Sequence, residues 1–220
     1  MVLGHYGLAL GAKKYARHTS LGTLVLAAQL ADLVWPILLL LGVERASIVP
    51  ANPPTLRLDF VSYPFTHSLA TGIVAGLVFG LLYKLIRKDN RGAIAVALLV
   101  PSHWILDVMV HLPDLCLWPG GPKVGLGAWR SLPLTLLLEA FFFIAGLLIY
   151  VRATRAKDAI GKYAFWAFVT VLVLGYASAI VSPAPKDIAS VAYSCMLLWL
   201  FVPWAYWIDR HRTNAATDEA

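Results

Sequence analysis

Six apolar stretches, each about as long as a helix needs to be to cross a bilayer, constrain the fold of this chain more than any other feature. Hydrophobic residues make up 60% of its 220 residues and charged residues only 14%, whereas about a quarter of a soluble domain is charged. The sequence therefore predicts an all-α polytopic membrane protein with one integral membrane domain over residues 1–212 and a disordered tail over residues 213–220. The predicted spans are about Ser20–Gly42, Thr66–Ile86, Gly92–Leu112, Leu132–Tyr150, Tyr163–Val181 and Ile188–Ile208.

A shorter apolar segment, Met1–Ala12, precedes these spans. It is too short to cross a bilayer, and it lacks the basic start and the small-residue cleavage site of a signal peptide. We therefore expect it to be retained as a short re-entrant or interfacial helix. Its glycines would allow close approach to a neighbouring helix, which would let His5 point into the bundle. The alternative is an interfacial histidine at a frayed terminus.

The basic residues are segregated by loop. If all six stretches span the membrane, 13 of the 18 Lys and Arg residues fall on the side of the two termini. The positive-inside rule then predicts an inner (plasma) membrane protein with both termini cytoplasmic, and it places the Val43–Phe65 and Pro113–Ser131 loops outside. The net charge of +6 is explained by this orientation. We therefore expect membrane lipid as a partner and no nucleic acid. Cys116 and Cys195 have neither metal-type spacing nor a disulfide framework.

Three ionisable side chains lie at intervals of four residues in the third apolar stretch. These are His103, Asp107 and His111, and their spacing puts them on one helix face. Charge at membrane depth is costly and usually functional. The face therefore predicts a functional site in the outer half of the bundle.

Two further ionisable residues lie in the first two stretches. Asp32 lies near the middle of the first, with Pro36 one turn later to open the backbone. His67 follows Thr66, which we expect to begin the second helix at its outer end. We expect these side chains to converge with those of the third stretch.

Imidazole nitrogen and carboxylate oxygen form a ligand set that suits zinc. The minimal predicted site is Asp32, His67, His103 and Asp107. A zinc ion with an open position lowers the pKa of its water to about 7 and polarises a phosphoryl or carbonyl oxygen, as hydrolysis requires. The predicted cofactor is therefore a divalent metal, with Zn²⁺ preferred, and one ion is expected. A second ion would need His5, His111 or Glu139.

Several residues around this predicted site are candidates for catalysis and substrate binding. Glu139 lies two helical turns into the fourth stretch and becomes a candidate general base if no second ion binds. His111 is the second catalytic candidate. The Leu117–Lys123 loop is expected to form a lid over the outer mouth. Lys123 and Arg130 beside it would either bind a substrate phosphate or remain surface charges.

A proton or ion pathway is the rival interpretation, because transporters also bury chains of Asp, Glu and His. The acids here cluster toward one face, and the inner half of the bundle offers no further ionisable groups, which favours a hydrolase. The sequence contains no His-Glu-x2-His, Gly-x-Ser-x-Gly or phosphate-binding glycine loop. The enzyme classes that use those motifs are therefore excluded.

Five short motifs, in order over about Met1–Pro133, resemble the LexA-regulated inner-membrane metal-dependent hydrolases of bacteria, the YdjM-like family. The resemblance implies a multi-pass metal-dependent hydrolase. The order His, Asp, His, His-x3-Asp is also similar to that of zinc-dependent phospholipase C and P1 nuclease. It would make His5, Asp32, His67, His103 and Asp107 metal ligands and a phosphoester the substrate. The motifs are Gly4-His5, Ala31-Asp32 with Pro36, Phe65-Thr66-His67-Ser68, Ser102-His103 with Asp107, and Leu117-Trp118-Pro119.

The chain departs from that family pattern at two of the motifs. Where the family commonly has Asp-x-Asp-His-Pro, residues 32–36 read Asp-Leu-Val-Trp-Pro. Where it has His-Arg-Gly-x-Thr-His-Ser, residues 62–68 read Ser-Tyr-Pro-Phe-Thr-His-Ser. An acid and two imidazoles are therefore missing. The alternatives are a single-metal enzyme, a shifted site that uses His111 and Glu139, or a member that has lost activity.

Overall fold

The computed structural model describes residues 1–50, 52, 55 and 57–215, and these form an all-α polytopic membrane protein with short β-hairpins. The helices are α1 Leu3–Ala12, α2 Leu21–Ala28, α3 Leu30–Leu40, α4 Leu69–Arg87, α5 Asn90–Val110, α6 Leu132–Ala153, α7 Ala159–Val181, α8 Ile188–Met196 and α9 Phe201–Arg210. The strands are β1 Arg45–Ile48, β2 Leu58–Ser62, β3 Leu115–Cys116, β4 Lys123–Val124, β5 Thr154–Ala156 and β6 Arg212–Asn214.

Within the described residues, five helical segments are long and apolar enough to cross a membrane. Four of them are α4, α5, α6 and α7. The fifth is Ile188–Arg210, in which a 3₁₀ turn joins α8 to α9. The bent pair α2–α3 makes a sixth when it is counted as one span. The outward faces carry large apolar side chains such as Leu77, Leu85 and Ile86, which are 63–76% exposed and suited to lipid. The predicted fold class is confirmed.

The short N-terminal helix α1 lies inside the bundle, where it packs on α6, α2 and α5. Most of its residues are buried, including His5 and Tyr6. Its closest approach is to α6, because a Cβ added to Gly146 would overlap the Gly7 carbonyl. The sequence left a re-entrant and an interfacial helix open, and the buried position of α1 among the other helices is not that of an interfacial helix. Met1 is buried inside the bundle, where it lies beside Asp107.

The first predicted span is broken into α2 and α3, which meet at an angle of 54°. The expectation that Pro36 opens this backbone is wrong, because the break is at Gln29 and Pro36 lies inside α3. The break leaves the last carbonyls of α2 without partners from a following turn. It also places Asp32 in the first turn of α3, where the helix dipole favours a negative charge.

Short antiparallel strand pairs occupy the connections, two of them as hairpins. β1 pairs with β2 inside the Val43–Phe65 loop, and β3 pairs with β4 inside the Pro113–Ser131 loop. β5 pairs with β6, so the disordered tail predicted from residue 213 is wrong for Thr213 and Asn214. Residues 216–220 of that predicted tail lie outside the described residues.

Candidate metal centre

The centre is built around the buried face of α5, where three ionisable side chains follow one another at successive turns. His103 is 3% exposed and Asp107 only 1%. The Nε2 atom of His103 lies 3.2 Å from Asp107 Oδ2, and Nε2 of His111 lies 3.8 Å from the same oxygen. The helical spacing predicted from the sequence therefore directs all three side chains to one point.

Asp32 and His67 reach this point from the neighbouring elements. His67 Nε2 lies 3.4 Å from Asp32 Oδ1 and 3.8 Å from Asp107 Oδ2. His103 Nε2 lies 3.6 Å from Asp32 Oδ1. His67 precedes α4 and does not lie within it. The helix begins after Ser68, whose hydroxyl caps it by accepting from the Thr71 N–H, so the predicted start at Thr66 is wrong.

His5 completes the cluster from α1. Its Nε2 lies 3.1 Å from Asp107 Oδ1, and its ring stacks on that of His103 with centroids 3.7 Å apart. The α-amino group of Met1 also contacts Asp107. His5 thus lies in the protein interior and not at an interface.

The five residues form two overlapping groups that could hold a metal ion. One group is His5, His103 and Asp107, and the other is Asp32, His67 and His103. Within each group the ligand atoms lie within 4.8 Å of one another. The structure therefore brings together all five metal ligands expected from the sequence, with His103 shared between the groups.

The orientation of His103 fits a metal ligand. Its Nδ1 lies 2.9 Å from the carbonyl oxygen of Ala28, so Nδ1–H donates to a carbonyl that the break after α2 leaves available. The lone pair of Nε2 then faces Asp32 and Asp107. Within the part of the chain that the structure describes, this buried Nε2 has no hydrogen-bond partner. A metal-bound histidine usually donates its other ring N–H to a carboxylate, a backbone carbonyl or water, as His103 does to Ala28.

His67 is oriented by a buried carboxylate that the sequence did not single out. Glu44 is 0% exposed, and its Oε2 accepts from the Thr66 hydroxyl at 2.7 Å. Because that hydroxyl donates to Glu44, it accepts from His67 Nδ1 at 2.7 Å. The chain of bonds from Glu44 through Thr66 fixes the tautomer in which His67 Nε2 carries the lone pair.

We expect Glu44→Gln to weaken metal binding by about 10- to 100-fold. The amide of glutamine can donate an N–H to the Thr66 hydroxyl, which then no longer has to accept from His67 Nδ1. His67 Nε2 would then no longer be held as the nitrogen with the lone pair. Competition with a fluorescent zinc chelator measures the effect. Asp59→Asn, a neutralised exposed acid on β2 of the same hairpin, is the matched control and should bind as wild type does. Equal affinities for the two variants would contradict the role given to Glu44.

The two predicted catalytic residues have different surroundings. His111 Nδ1 lies 3.0 Å from Asp114 Oδ1, so Nδ1–H donates and the Nε2 lone pair faces the cluster. The Tyr63 hydroxyl also donates to Asp114, at 2.7 Å. Burial and the Asp114 carboxylate raise the pKa of Tyr63, which keeps this donor protonated. Both oxygens of Glu139 accept backbone N–H groups at the start of α1, at 2.7 and 2.9 Å. Glu139 thus anchors the helix that carries His5.

The two predicted phosphate-binding residues lie in the Pro113–Ser131 loop and not in the cluster. Lys123 is an exposed residue of β4, and Arg130 is exposed at the end of a 3₁₀ turn. Trp129, which precedes Arg130, packs on the ring of His111 with centroids 3.9 Å apart. The loop is therefore joined to the edge of the cluster through Trp129.

Access to the cluster is on the side of Asp32. The Asp32 side chain is 23% exposed, whereas those of His67, His103 and Asp107 are 2–4% exposed. A molecule approaching from outside therefore meets Asp32 first.

Comparisons with family models, with curated proteins and with solved structures find no match to this chain.

Proposed function

We propose that this chain is a membrane-embedded metal-dependent hydrolase that cleaves a phosphoester of a lipid or lipid-linked substrate. The observation that supports it most directly is the meeting of three imidazoles and two carboxylates in the interior of an apolar bundle. Two carboxylates at membrane depth, one buried (Asp107) and one partly exposed (Asp32), need a compensating positive charge. The α-amino group of Met1 supplies part of it at Asp107, and a divalent cation would supply the rest across the cluster.

The donor types favour zinc, and the spacing of the ligand atoms is compatible with it. A tetrahedral ion with ligands at about 2.0–2.1 Å needs donor atoms about 3.3 Å apart. The distances between His nitrogens and Asp oxygens in the cluster run from 3.1 to 3.8 Å, so a small shift of the side chains would bring them to this spacing. Three histidines and two aspartates supply enough donors for one zinc ion, and His111 at the edge leaves a second ion as an alternative.

A bound zinc ion would supply Lewis acidity toward a water molecule and a phosphoryl oxygen. His111 is the proposed general base, because Asp114 holds its Nδ1–H and leaves Nε2 free to take a proton from that water. We assign Glu139 the positioning of α1. Lys123 and Arg130 on the outer loop are the proposed contacts for the phosphate of the substrate.

A lipid substrate follows from where the centre lies. The cluster is enclosed by helices whose outer faces are apolar, so an amphiphile can keep its chains in the bilayer while its phosphate reaches the partly exposed Asp32 side. The resemblance to the YdjM-like hydrolases and the ligand order shared with phospholipase C point to the same reaction. With the basic segments cytoplasmic, the centre lies in the outer half of an inner (plasma) membrane.

Zinc-loaded protein in mixed micelles tests the proposal. We expect release of a phosphorylated headgroup, or of phosphate, from a panel of phosphodiester and phosphomonoester lipids, measured by mass spectrometry and abolished by chelation. His111→Gln should lower kcat/KM by about 10²- to 10⁴-fold, as loss of a general base does, while metal remains bound. His211→Gln, a change outside the cluster, should leave kcat/KM as it is.

Two results would contradict a hydrolase. Bound metal with no hydrolysis of any lipid in the panel, together with metal or proton flux into proteoliposomes, identifies a transporter. Bound metal with neither hydrolysis nor flux identifies a member that has lost activity.

A further inference from the structure

A polar cavity lies at the basic end of the bundle, away from the metal centre. It is an open cavity of about 230 Å³ where the ends of α1, α6 and α9 meet β5 and β6. Lys13 lines it and lies eight residues after His5, which is about 12 Å along α1. The cavity therefore shares a helix with the metal centre but none of its side chains.

Among the described residues, four cations and a single acid line this cavity. The cations are Lys13, Arg17, Lys157 and Arg212, and the acid is Asp209. Asp209 lies 2.7 Å from Lys13 Nζ, so among the described residues the lining keeps an excess of positive charge, which attracts anions. The charge balance of the lining therefore favours a ligand with more than one negative charge.

Two of the cations are held in place by the fold. Lys13 is 5% exposed, and its Nζ donates to the Thr19 carbonyl and to Asp209, at 2.7 Å each. Arg212 donates to Thr154 and to the Gly161 carbonyl at 3.0–3.2 Å. Its guanidinium also lies over two aromatic rings, those of Tyr150 and Phe165, at 5.2 and 4.8 Å from their centroids. A binding site whose charges are already positioned costs less entropy to occupy.

The other two cations lie at the exposed rim. Lys157 Nζ donates to the Arg210 carbonyl at 3.1 Å, which leaves further donor capacity on the ammonium group. Arg17 lines both this cavity and an adjoining, mostly apolar one of about 260 Å³. The apolar cavity is also lined by Ile149 and Ala153, with Arg152 beside them. A phosphate in the first cavity would therefore have space for an acyl chain next to it.

We propose that this basic cavity binds a phosphate group, carried either by an anionic lipid headgroup or by free phosphate. Phosphate fits because it accepts several charge-assisted hydrogen bonds at once and pairs well with arginine. The site is separate from the proposed hydrolytic centre and does not depend on its activity. Ordinary topology-determining cations, such as Lys84 and Arg87 in the last turn of α4, are exposed and do not line this cavity.

The test compares two double variants of the full chain that lose the same charge. Arg17→Gln with Lys157→Gln removes the rim cations, and Lys84→Gln with Arg87→Gln is the matched control at the same end of the bundle. Each delipidated protein is titrated with inorganic phosphate by calorimetry. Each is then mixed with phosphatidylglycerol or phosphatidylcholine, and bound lipid is counted by native mass spectrometry. Thermal unfolding and metal content verify that the fold and the metal centre are intact.

We expect wild type to bind inorganic phosphate, or phosphatidylglycerol, or both of these. It should bind phosphatidylglycerol more tightly than phosphatidylcholine. The rim variant should bind on the order of tenfold more weakly, and the control should bind like wild type. Binding of the lipid alone identifies a headgroup as the source, and binding of inorganic phosphate alone identifies a soluble one. Lys157→Gln alone should give an intermediate loss. Absence of both ligands from wild type, or equal losses in the two double variants, would overturn the proposal.

Discussion

Asp107→Asn is expected to reduce the metal bound to the purified protein from roughly one ion per chain to almost none, with affinity lowered by more than about 100-fold. Asp107 is 1% exposed, and its two oxygens face His5 at 3.1 Å and His103 at 3.2 Å. An amide has no charge to offer a cation, and its N–H₂ group would face an imidazole. Elemental analysis after gel filtration measures the loss.

A second His–Asp pair provides the control for this prediction. His211 Nδ1 lies 2.7 Å from Asp158 Oδ2 at the basic end, outside the cluster. Asp158→Asn should leave the metal content unchanged. It should also preserve the start of α7, where Asp158 is the N-cap, because asparagine caps helices about as well as aspartate. A folded Asp107→Asn protein with the metal content of wild type would exclude the proposed centre.

Gly146→Ala is expected to destabilise the protein by about 1–3 kcal/mol or more, since the new methyl group would overlap the Gly7 carbonyl. The obstacle is backbone and not the end of a flexible side chain, so α1 and α6 must separate. Because α1 carries His5, the same change should also weaken metal binding. The thermal unfolding midpoint in detergent measures the first effect, and zinc affinity measures the second.

Gly175→Ala is the matched control. Gly175 lies inside α7, and a Cβ there would meet nothing within 4 Å. Alanine is the better helix former by roughly 1 kcal/mol, so this variant should be as stable as wild type or slightly more stable. If the two glycine variants unfold at the same temperature, the close contact between α1 and α6 does not contribute to stability.

The fold and the face of α5 could be predicted because both depend on local periodicity. Runs of about 20 apolar residues define spans, and a spacing of four puts His103, Asp107 and His111 on one side of a helix. The place of Asp32 and His67 was also accessible, because polar groups at similar depths in a bundle tend to meet. The spans and the face of α5 need no knowledge of which helices are neighbours, whereas the meeting of Asp32 and His67 with that face was expected only from the cost of leaving polar groups unpaired at membrane depth.

Other features could not be predicted, since they depend on contacts between distant parts of the chain. Glu44 follows the Gly42 turn, and in the sequence it resembles an ordinary loop charge; only the fold brings it to Thr66. The break at Gln29 has no Gly or Pro to mark it, whereas Pro36 suggested a break at the wrong position. Glu139 accepts hydrogen bonds from the backbone N–H groups of Val2 and Gly4 only because α1 is inserted between other helices, and the sequence does not show that insertion.

The position of α1 also determines when the centre can form during synthesis. His5 is made first, yet α1 rests against α6, and the backbone at Val2 and Gly4 is held by Glu139, about 135 residues later in the chain. Such a distant contact cannot form until the ribosome has released most of the polypeptide into the membrane. The nascent chain therefore carries unpaired ligands through the insertion of several helices, and it gains its full set of metal donors only when α6 arrives.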